Sequence, residues 1–279
     1  MSRTLSSAHV HTPFCDGKTP APEMARAACD LGFVSLGFTS HAPQDFDPGY
    51  CIPPDREEAY KAHVLALQKE YAGRMAIYLG VERDVYSCSS PAGYDYFIAS
   101  VHYFVKPDGH HAPVDAAAEK LLDYVNTCCG GDGLRMAERY FSMLRDYVLE
   151  AKPAIIGHFD LVRKNNARLH LYDEDAPAYR SLALDALRPL RETGALLEVN
   201  TGGMARGYLD TPYPAPFLLK AWKEWGGEVI LNSDCHDMRY LDAGYGPAEE
   251  MLAALGYSHA VRLSPDPEKG LWERYALKA

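Results

Sequence analysis

Short apolar runs with strand character alternate with longer helix-like stretches along the chain, and this alternation most constrains its fold. The strand-like runs cover 5–11, 34–40, 76–82, 96–102, 154–158, 196–200 and 229–233. The helix-like stretches cover about 20–32, 56–73, 115–125, 133–150, 176–193, 214–225 and 247–255. Strands that alternate with helices are typical of βα units around a parallel sheet. We therefore expect an α/β protein.

The number of these units and the length of the chain favour a barrel. The chain has 279 residues, and one α/β barrel domain typically has about 250. We predict a single domain over 1–279, folded as a distorted (β/α)7 barrel that is similar to a TIM barrel. A doubly wound open sheet is the alternative, although no Gly-rich phosphate loop follows the first strand. The segment 260–263 is either a last short strand or only a closing segment.

Side chains that can bind metals recur at the ends of the predicted strands. His9 and His11 lie two residues apart at the end of the first run, and Asp234 and His236 follow the seventh. Residues i and i+2 of a strand face the same side, so each pair can point at one place. Five further residues of this kind end other runs or follow the first: Asp16, His41, Glu82, His102 and His158. Because active sites of parallel barrels lie at the C-terminal rim of the strands, we expect all nine side chains to meet there.

Six imidazoles at one rim of an apolar barrel would leave buried polar atoms without partners unless cations bind there. The other histidines fall outside the strand ends: His63, His110, His111, His170 and His259. Six imidazoles with three carboxylates suit Zn, Fe or Mn better than Mg or Ca, which prefer oxygen ligands. Nine ligands are too many for one ion. We predict three divalent ions, with one carboxylate as a bridge.

Charge and cysteine content limit the partners and the compartment. The net charge is −10, whereas proteins that bind nucleic acids usually carry a basic surface, so we expect no nucleic-acid partner. We expect neither a membrane span nor a signal peptide, because no long apolar stretch is present. The seven cysteines include no C-x-x-C pair, which favours a reduced, cytoplasmic protein. The oligomeric state stays open.

The segments that carry the nine residues resemble the PHP family, the polymerase and histidinol phosphatase superfamily. They are H-x-H (9–11), F-C-D-G (14–17), T-S-H (39–41), G-V-E (80–82), S-V-H (100–102), G-H (157–158) and S-D-C-H (233–236). The resemblance extends over essentially the whole chain. Within the family, the chain is most similar to the monofunctional histidinol-phosphate phosphatases, through G-H-F-D-L-V-R-K (157–164), L-E-V-N-T-G-G-M-A-R-G (197–207) and Y-P (213–214).

The resemblance implies metal-dependent hydrolysis of L-histidinol phosphate to L-histidinol and phosphate, a reaction of histidine biosynthesis. It also implies three ligand sets: His9, His11, Glu82 and Asp234; Asp16, His41 and a bridging Glu82; and His102, His158 and His236. Arg83 follows Glu82 where the family leads us to expect a small or apolar residue. We expect its side chain on the opposite face of the strand.

Phosphoryl transfer needs a positioned nucleophile and neutralisation of the phosphate charge. Our hypothesis is that a hydroxide bridging two ions attacks phosphorus. Arg163 and Arg206 are expected to bind the phosphate oxygens, because the planar guanidinium matches phosphate geometry. Asp160 or a metal-bound water is the candidate for protonating the leaving alkoxide. Phe14 and Tyr103 either line the imidazole pocket or pack at the rim.

Three other functions remain open at this point. The chain could be a PHP-type phosphatase or phosphodiesterase that acts on another small phosphoester or a nucleotide, since the loops around the site decide the substrate. An amidohydrolase would usually place a modified Lys at a strand end, where this chain has Glu82 and no Lys. A metal-structured binding module without activity would be expected to lack some of the nine residues.

Overall fold

The computed structural model of the chain describes residues 5–277. Within this range the strands are β1 (Leu5–Ser7), β2 (Phe33–Phe38), β3 (Ala76–Asp84), β4 (Tyr96–Ser100), β5 (Tyr103–Val105), β6 (His111–Pro113), β7 (Ile155–Ile156), β8 (Leu196–Asn200), β9 (Val229–Asn232), β10 (His259–Leu263) and β11 (Trp272–Ala276). The α-helices are α1 (Ala21–Asp30), α2 (Glu57–Glu70), α3 (Ala118–Cys128), α4 (Gly133–Ala151), α5 (Arg163–Leu169), α6 (Pro177–Leu187), α7 (Gly202–Ala205), α8 (Pro216–Glu224) and α9 (Tyr245–Ala254). None of these helices combines the length and the apolar character that a membrane crossing requires.

A nine-stranded sheet forms the centre of the fold, in the order β1-β2-β3-β4-β7-β8-β9-β10-β11. Its neighbours pair in parallel, except that β11 runs antiparallel to β10. The predicted α/β class with a parallel sheet is therefore confirmed. The segment 260–263 belongs to β10, which pairs with β9 at Val261 and Ile230.

The segment that follows β1 contacts the segment that follows β9. This contact brings together the first and the last of the seven strands β1, β2, β3, β4, β7, β8 and β9. Val10 and Cys235 form a parallel bridge. The backbone N–H of His11 donates to the Cys235 carbonyl at 2.9 Å, and the Cys235 N–H donates to the His9 carbonyl at 3.3 Å. This contact places the segments of the two paired motifs, H-x-H and D-C-H, side by side.

Helix α4 shows how the sequence produces the outer elements. Its buried residues recur every three or four positions, and they include Met136, Tyr140, Leu144 and Val148, so one face packs against the core. The side chain of Asp132 accepts hydrogen bonds from the first backbone N–H groups of the helix, which an N-cap residue typically does.

Several elements differ from the sequence prediction. Strand β1 ends at Ser7, so His9 and His11 lie beyond the strand rather than within it. The sequence pattern predicts neither helix α5 nor the β5–β6 hairpin. Helix α5 has the sequence R-K-N-N-A-R-L, which lacks the apolar stripe that identifies a helix.

Candidate metal centre

The nine predicted ligands come together at the C-terminal ends of the parallel strands. Their ligand atoms form three overlapping groups, each with atoms within 4.8 Å of one another: His11, Asp16, His41 and His236; His9, His11 and Asp234; and His41, Glu82 and His102. His158 joins them through its Nε2 atom, which lies 3.0 Å from Glu82 Oε1 and 3.2 Å from His102 Nε2. The structure therefore gathers every one of these side chains into a single cluster.

Glu82 lies at the centre of the cluster and contacts five of the imidazoles. Its Oε2 atom is 2.9 Å from His41 Nδ1, 3.2 Å from His9 Nε2 and 3.5 Å from His11 Nε2. Its Oε1 atom is 3.0 Å from His158 Nε2 and 3.4 Å from His102 Nε2. Both oxygens of one carboxylate thus face different imidazoles, an arrangement that suits a bridging ligand.

His236 lies with a different group from the one that the resemblance implied. Its Nε2 atom is 3.3 Å from Asp16 Oδ1, and its ring stacks on that of His11 with centroids 3.9 Å apart. His102 and His158 instead approach Glu82 from the other side. Asp234 has a left-handed backbone with φ of 50°, so this segment turns and does not keep the alternation of a strand. The side chains of Asp234 and His236, which are two residues apart, therefore point to different parts of the cluster.

The unpartnered polar atoms of the cluster indicate that positive charge belongs there. The Nδ1 atom of His9 faces the carboxylate of Glu198 at 2.6 Å and must carry the proton, because a carboxylate only accepts. The opposite atom, Nε2, is buried without a hydrogen-bond partner, and so is Glu82 Oε2 at 3.2 Å. Two acceptors that face each other in a buried place need a proton or a metal ion between them. With six imidazoles and three carboxylates around it, the place fits divalent metal ions.

The electrostatics of the cluster agree with this interpretation. Burial raises the pKa of Glu82, but the charges of His9, His41 and His102 outweigh burial and hold this pKa well below its usual range. For His11, burial and the neighbouring imidazoles lower the pKa to about 3. The carboxylate is therefore ionised and the imidazole of His11 neutral at ordinary pH, which are the states that bind metals.

Two further carboxylates, which the sequence analysis missed, orient the imidazoles from behind. Glu198 Oε1 accepts from His9 Nδ1, and its Oε2 accepts from the backbone N–H of His158 at 2.8 Å. Asp84 Oδ2 accepts from the backbone N–H of His102 at 2.6 Å and lies 3.3 Å from the Nδ1 atom of the same residue. Carboxylates in these positions fix the tautomer and the direction of imidazole ligands. Glu198 stands alone in an apolar strand, so no spacing pattern marks it. Asp84 follows Glu82 by two residues in β3, and the rule that residues i and i+2 share a face could have identified it.

A cavity of about 220 Å³ opens onto the cluster. Seven of the nine predicted ligands line the cavity: Asp16, His41, Glu82, His102, His158, Asp234 and His236. The other lining residues are Lys18, Tyr50, Asp115, Leu161, Lys164 and Arg206. The cavity thus combines the metal-binding side chains with three cationic side chains that can contact an anion.

Arg206 is the predicted phosphate-binding residue that the structure brings to this cavity. Its Nη2 atom is 3.1 Å from Asp234 Oδ2, and its Nη1 atom donates to the Asp234 carbonyl at 3.2 Å. Gly202 permits this approach, because a Cβ atom there would lie 2.6 Å from Arg206 Nη2 and 3.0 Å from Asp234 Oδ2. The guanidinium is therefore held beside the metal cluster.

Arg163 and Asp160 do not line the cavity. The guanidinium of Arg163 is buried and donates to Glu174 Oε2 at 2.8 Å, to Thr211 Oγ1 at 3.0 Å and to the Pro212 carbonyl at 3.2 Å. Asp160 Oδ2 accepts from the backbone N–H of Ala215 at 2.8 Å, and burial raises the pKa of Asp160 to about 6. These contacts tie Arg163 and Asp160 to the segments that carry Glu174, Thr211 and Ala215, and they favour a structural role.

The predicted aromatic residues Phe14 and Tyr103 do not line the cavity either. Phe14 packs edge-on against Tyr60, and the Tyr103 hydroxyl donates to Asp47 Oδ2 at 2.8 Å. The aromatic side chain that does line the cavity is Tyr50, whose ring stacks on His41 with centroids 4.0 Å apart. Arg83 donates to the Ser89 carbonyl and does not line the cavity.

Comparisons with known proteins agree with this geometry. A family model described as the PHP domain matches residues 7–202. A protein of Deinococcus radiodurans with the name "probable histidinol-phosphatase" is 32% identical over 255 residues, which are 86% of this chain and 91% of that protein. The histidinol-phosphatase of Bacillus subtilis is 26% identical, and the match covers 85% of this chain and 94% of that protein.

A solved structure has the same fold. It is the crystal structure of histidinol phosphate phosphatase from Lactococcus lactis, complexed with zinc, L-histidinol and phosphate. The TM-score is 0.69 at 20% sequence identity, and the match covers 93% of this chain and 97% of that one.

Proposed function

This chain belongs to the PHP family, and from that membership we propose that it hydrolyses L-histidinol phosphate to L-histidinol and phosphate, a reaction of histidine biosynthesis. The observation that carries the proposal is the cluster of nine imidazoles and carboxylates that opens onto a cavity beside Arg206. The names of the Deinococcus and Bacillus relatives support the choice of substrate.

We assign up to three divalent ions, zinc, iron or manganese, to three sets of residues. The sets follow the contacts of the cluster: His9, His11, Glu82 and Asp234; Glu82, His102 and His158; and Asp16, His41 and His236. When bound, the ions would neutralise the phosphate charge and acidify a water molecule toward neutral pH.

The protein's own residues would bind and orient the substrate. Arg206 offers a planar fork of N–H donors, which suits the non-bridging oxygens of a phosphate. Its contact with Asp234 fixes the direction of the fork. Glu198 and Asp84 hold the imidazoles in one orientation, so the cluster does not have to rearrange when the phosphate binds. We assign Arg163 and Asp160 to the support of the loop that carries His158.

We further propose that the protein acts in the cytoplasm as one domain over 1–279, on a small phosphate ester and without a nucleic-acid or membrane partner. All seven cysteines are free, which is typical of a reducing compartment. The net charge of −10 also disfavours a nucleic acid as partner.

The proposal can be tested by steady-state kinetics with metal analysis of the same sample. The protein, loaded with zinc or manganese, is assayed for phosphate release from L-histidinol phosphate and from 4-nitrophenyl phosphate, and for 4-nitrophenol release from bis(4-nitrophenyl) phosphate. We expect the highest kcat/KM with L-histidinol phosphate. A preference for the diester, or full activity in metal-free protein, would contradict the proposal.

A further inference from the structure

Asp115 lies in the wall of the cavity, and the proposed reaction does not yet assign a role to its carboxylate. The other acidic residues that line the cavity, within the described part of the chain, are Asp16, Glu82 and Asp234, all members of the proposed ligand sets. A carboxylate near a phosphate site opposes the binding of an anion unless cations compensate its charge, because like charges repel. Lys164 pairs with one oxygen of this carboxylate, and the other oxygen can accept from a positive group on the ligand.

The β5–β6 hairpin places Asp115 next to the metal cluster. At the base of the hairpin, the backbone N–H of Val114 donates to the carbonyl of His102 at 2.8 Å. Asp115 follows Val114 directly, so its position is tied to that of a proposed metal ligand. The hairpin therefore brings a residue that is distant from the strand ends in sequence to the edge of the cavity.

Two consecutive residues of α5 hold Asp115 in place. Lys164 Nζ donates to the Asp115 carbonyl and lies 3.2 Å from Asp115 Oδ2. Asn165 Nδ2 donates to the carbonyls of Val114 and Ala116, both at 3.1 Å, and so fixes the backbone on each side. The Lys164 ammonium also lies 4.9 Å from the centre of the Tyr208 ring. A carboxylate that is held this firmly is preorganised for binding.

One oxygen of this carboxylate remains available to a ligand. Oδ2 contacts Lys164, whereas Oδ1 has no hydrogen bond or ion pair with the described residues, and the side chain is 27% exposed. Burial raises the pKa of Asp115, but Lys164, His102 and His158 outweigh burial and lower it. Asp115 is therefore ionised at neutral pH and acts as an acceptor, which disfavours a role as the acid for the leaving group.

We propose that Asp115 determines specificity by accepting a hydrogen bond from the primary ammonium group of the substrate. The inference rests on the proposed function, because L-histidinol phosphate carries an ammonium on the carbon next to its phosphoester methylene. That short separation requires the acceptor to lie close to the metal cluster, as Asp115 does beside His102. A phosphate ester without the amine would offer no donor to Asp115 Oδ1.

The test compares Asp115→Asn with the parent enzyme on two substrates. One is L-histidinol phosphate, and the other is 3-(imidazol-4-yl)propyl phosphate, which lacks the amine. Loss of a hydrogen bond between charged groups should lower kcat/KM for the first substrate roughly 10- to 100-fold and leave the second near the parent value. The matched control is Asp123→Asn, which removes an exposed carboxylate that pairs with Lys106 and should change neither value.

The outcomes separate this inference from the proposed function. Equal losses on both substrates, or no loss on either, would overturn the role of Asp115. If Asp115→Asn does not fold, the parent enzyme decides: a clear preference for the amine-bearing ester supports the role, and equal kcat/KM values overturn it. A parent enzyme that hydrolyses 4-nitrophenyl phosphate but neither imidazole ester would instead overturn the proposed function.

Discussion

The Nδ1 atom of His9 lies 2.6 Å from Oε1 of Glu198, and both side chains are fully buried. This contact directs the opposite nitrogen of the imidazole toward Glu82 and Asp234, at 3.2 Å and 3.7 Å. The direction of a metal-binding nitrogen is thus set by a residue 189 positions later in the chain.

Replacing Glu198 with Gln should weaken metal binding while it keeps the size of the side chain. Loss of the negative charge removes the partner that fixes the His9 imidazole, and changes of this kind cost roughly 10- to 100-fold in metal affinity or activity. Metal content after gel filtration and kcat with added metal measure the effect. Glu192→Gln changes an exposed residue in the preceding segment and serves as the control. Equal metal affinity in both variants would contradict the role of Glu198.

Removal of metal should lower thermal stability as well as activity. Without cations, the carboxylates of Glu82 and Asp234 and the imidazoles around them lose their compensating charge. A ligand at 100 times its Kd stabilises by about 2.7 kcal/mol, so chelation should lower Tm by several degrees. Differential scanning fluorimetry before and after chelation, and again after zinc is restored, measures this change. An unchanged Tm together with unchanged phosphate release would contradict a resident metal cluster.

Arg206→Ala should impair catalysis far more than stability. The guanidinium lines the cavity, and loss of one donor to developing charge typically costs about 100-fold in rate. Arg206→Lys should restore only part of kcat/KM, because an ammonium lacks the planar fork. Phosphate-release kinetics with metal-saturated protein measure both variants. Arg274→Ala, at an exposed site that pairs with Glu228, is the control, and a similar loss there would argue against a specific role for Arg206.

Arg163→Ala should impair stability far more than catalysis. Its guanidinium is buried and pairs with Glu174 and Asp160, and breaking such a pair by removing one partner costs about 3 kcal/mol or more. Urea unfolding should therefore show a large loss of stability. Arg168→Ala removes an exposed ion pair with Glu119 and should change stability little. Full stability of Arg163→Ala with a specific loss of phosphate affinity would instead support the role that the sequence analysis assigned to Arg163.

Alkaline pH should destabilise the fold partly through Tyr78. Burial raises the pKa of this residue to about 12, and its hydroxyl donates to the Ser264 carbonyl at 2.8 Å. An unfolded tyrosine titrates near a pH of about 10, so the stabilising contribution is complete below that pH and disappears as the pH rises through the folded-state pKa. Urea unfolding across this range should decline less steeply for Tyr78→Phe. The same substitution at the exposed Tyr208 should leave the slope unchanged.

The sequence predicts the class of fold and the gathering of the nine side chains because both depend on regular patterns. Apolar runs mark the strands, and the strand ends of a parallel sheet share one edge. His41, Glu82 and His158 can therefore be expected to meet, although 117 positions separate the first from the last.

The residues that the sequence does not reveal depend on irregular segments. Asp115 reaches the cavity through a hairpin, and Lys164 reaches it from a short polar helix without an apolar stripe. The position of His236 within the cluster depends on the left-handed backbone of Asp234. No glycine stands next to Asp234 in the sequence, so the sequence does not indicate this turn. Such turns follow from tertiary contacts, so spacing alone cannot predict them.

The bridge between Val10 and Cys235 has a consequence for the synthesis of the protein. It joins the first proposed ligands to the last, so the ion cluster needs every segment of the chain from His9 to His236. While a ribosome is translating the protein, His9 and His11 emerge long before their partner Asp234. A nascent chain would thus carry an incomplete cluster, and selective metal uptake would mark the completion of folding after translation.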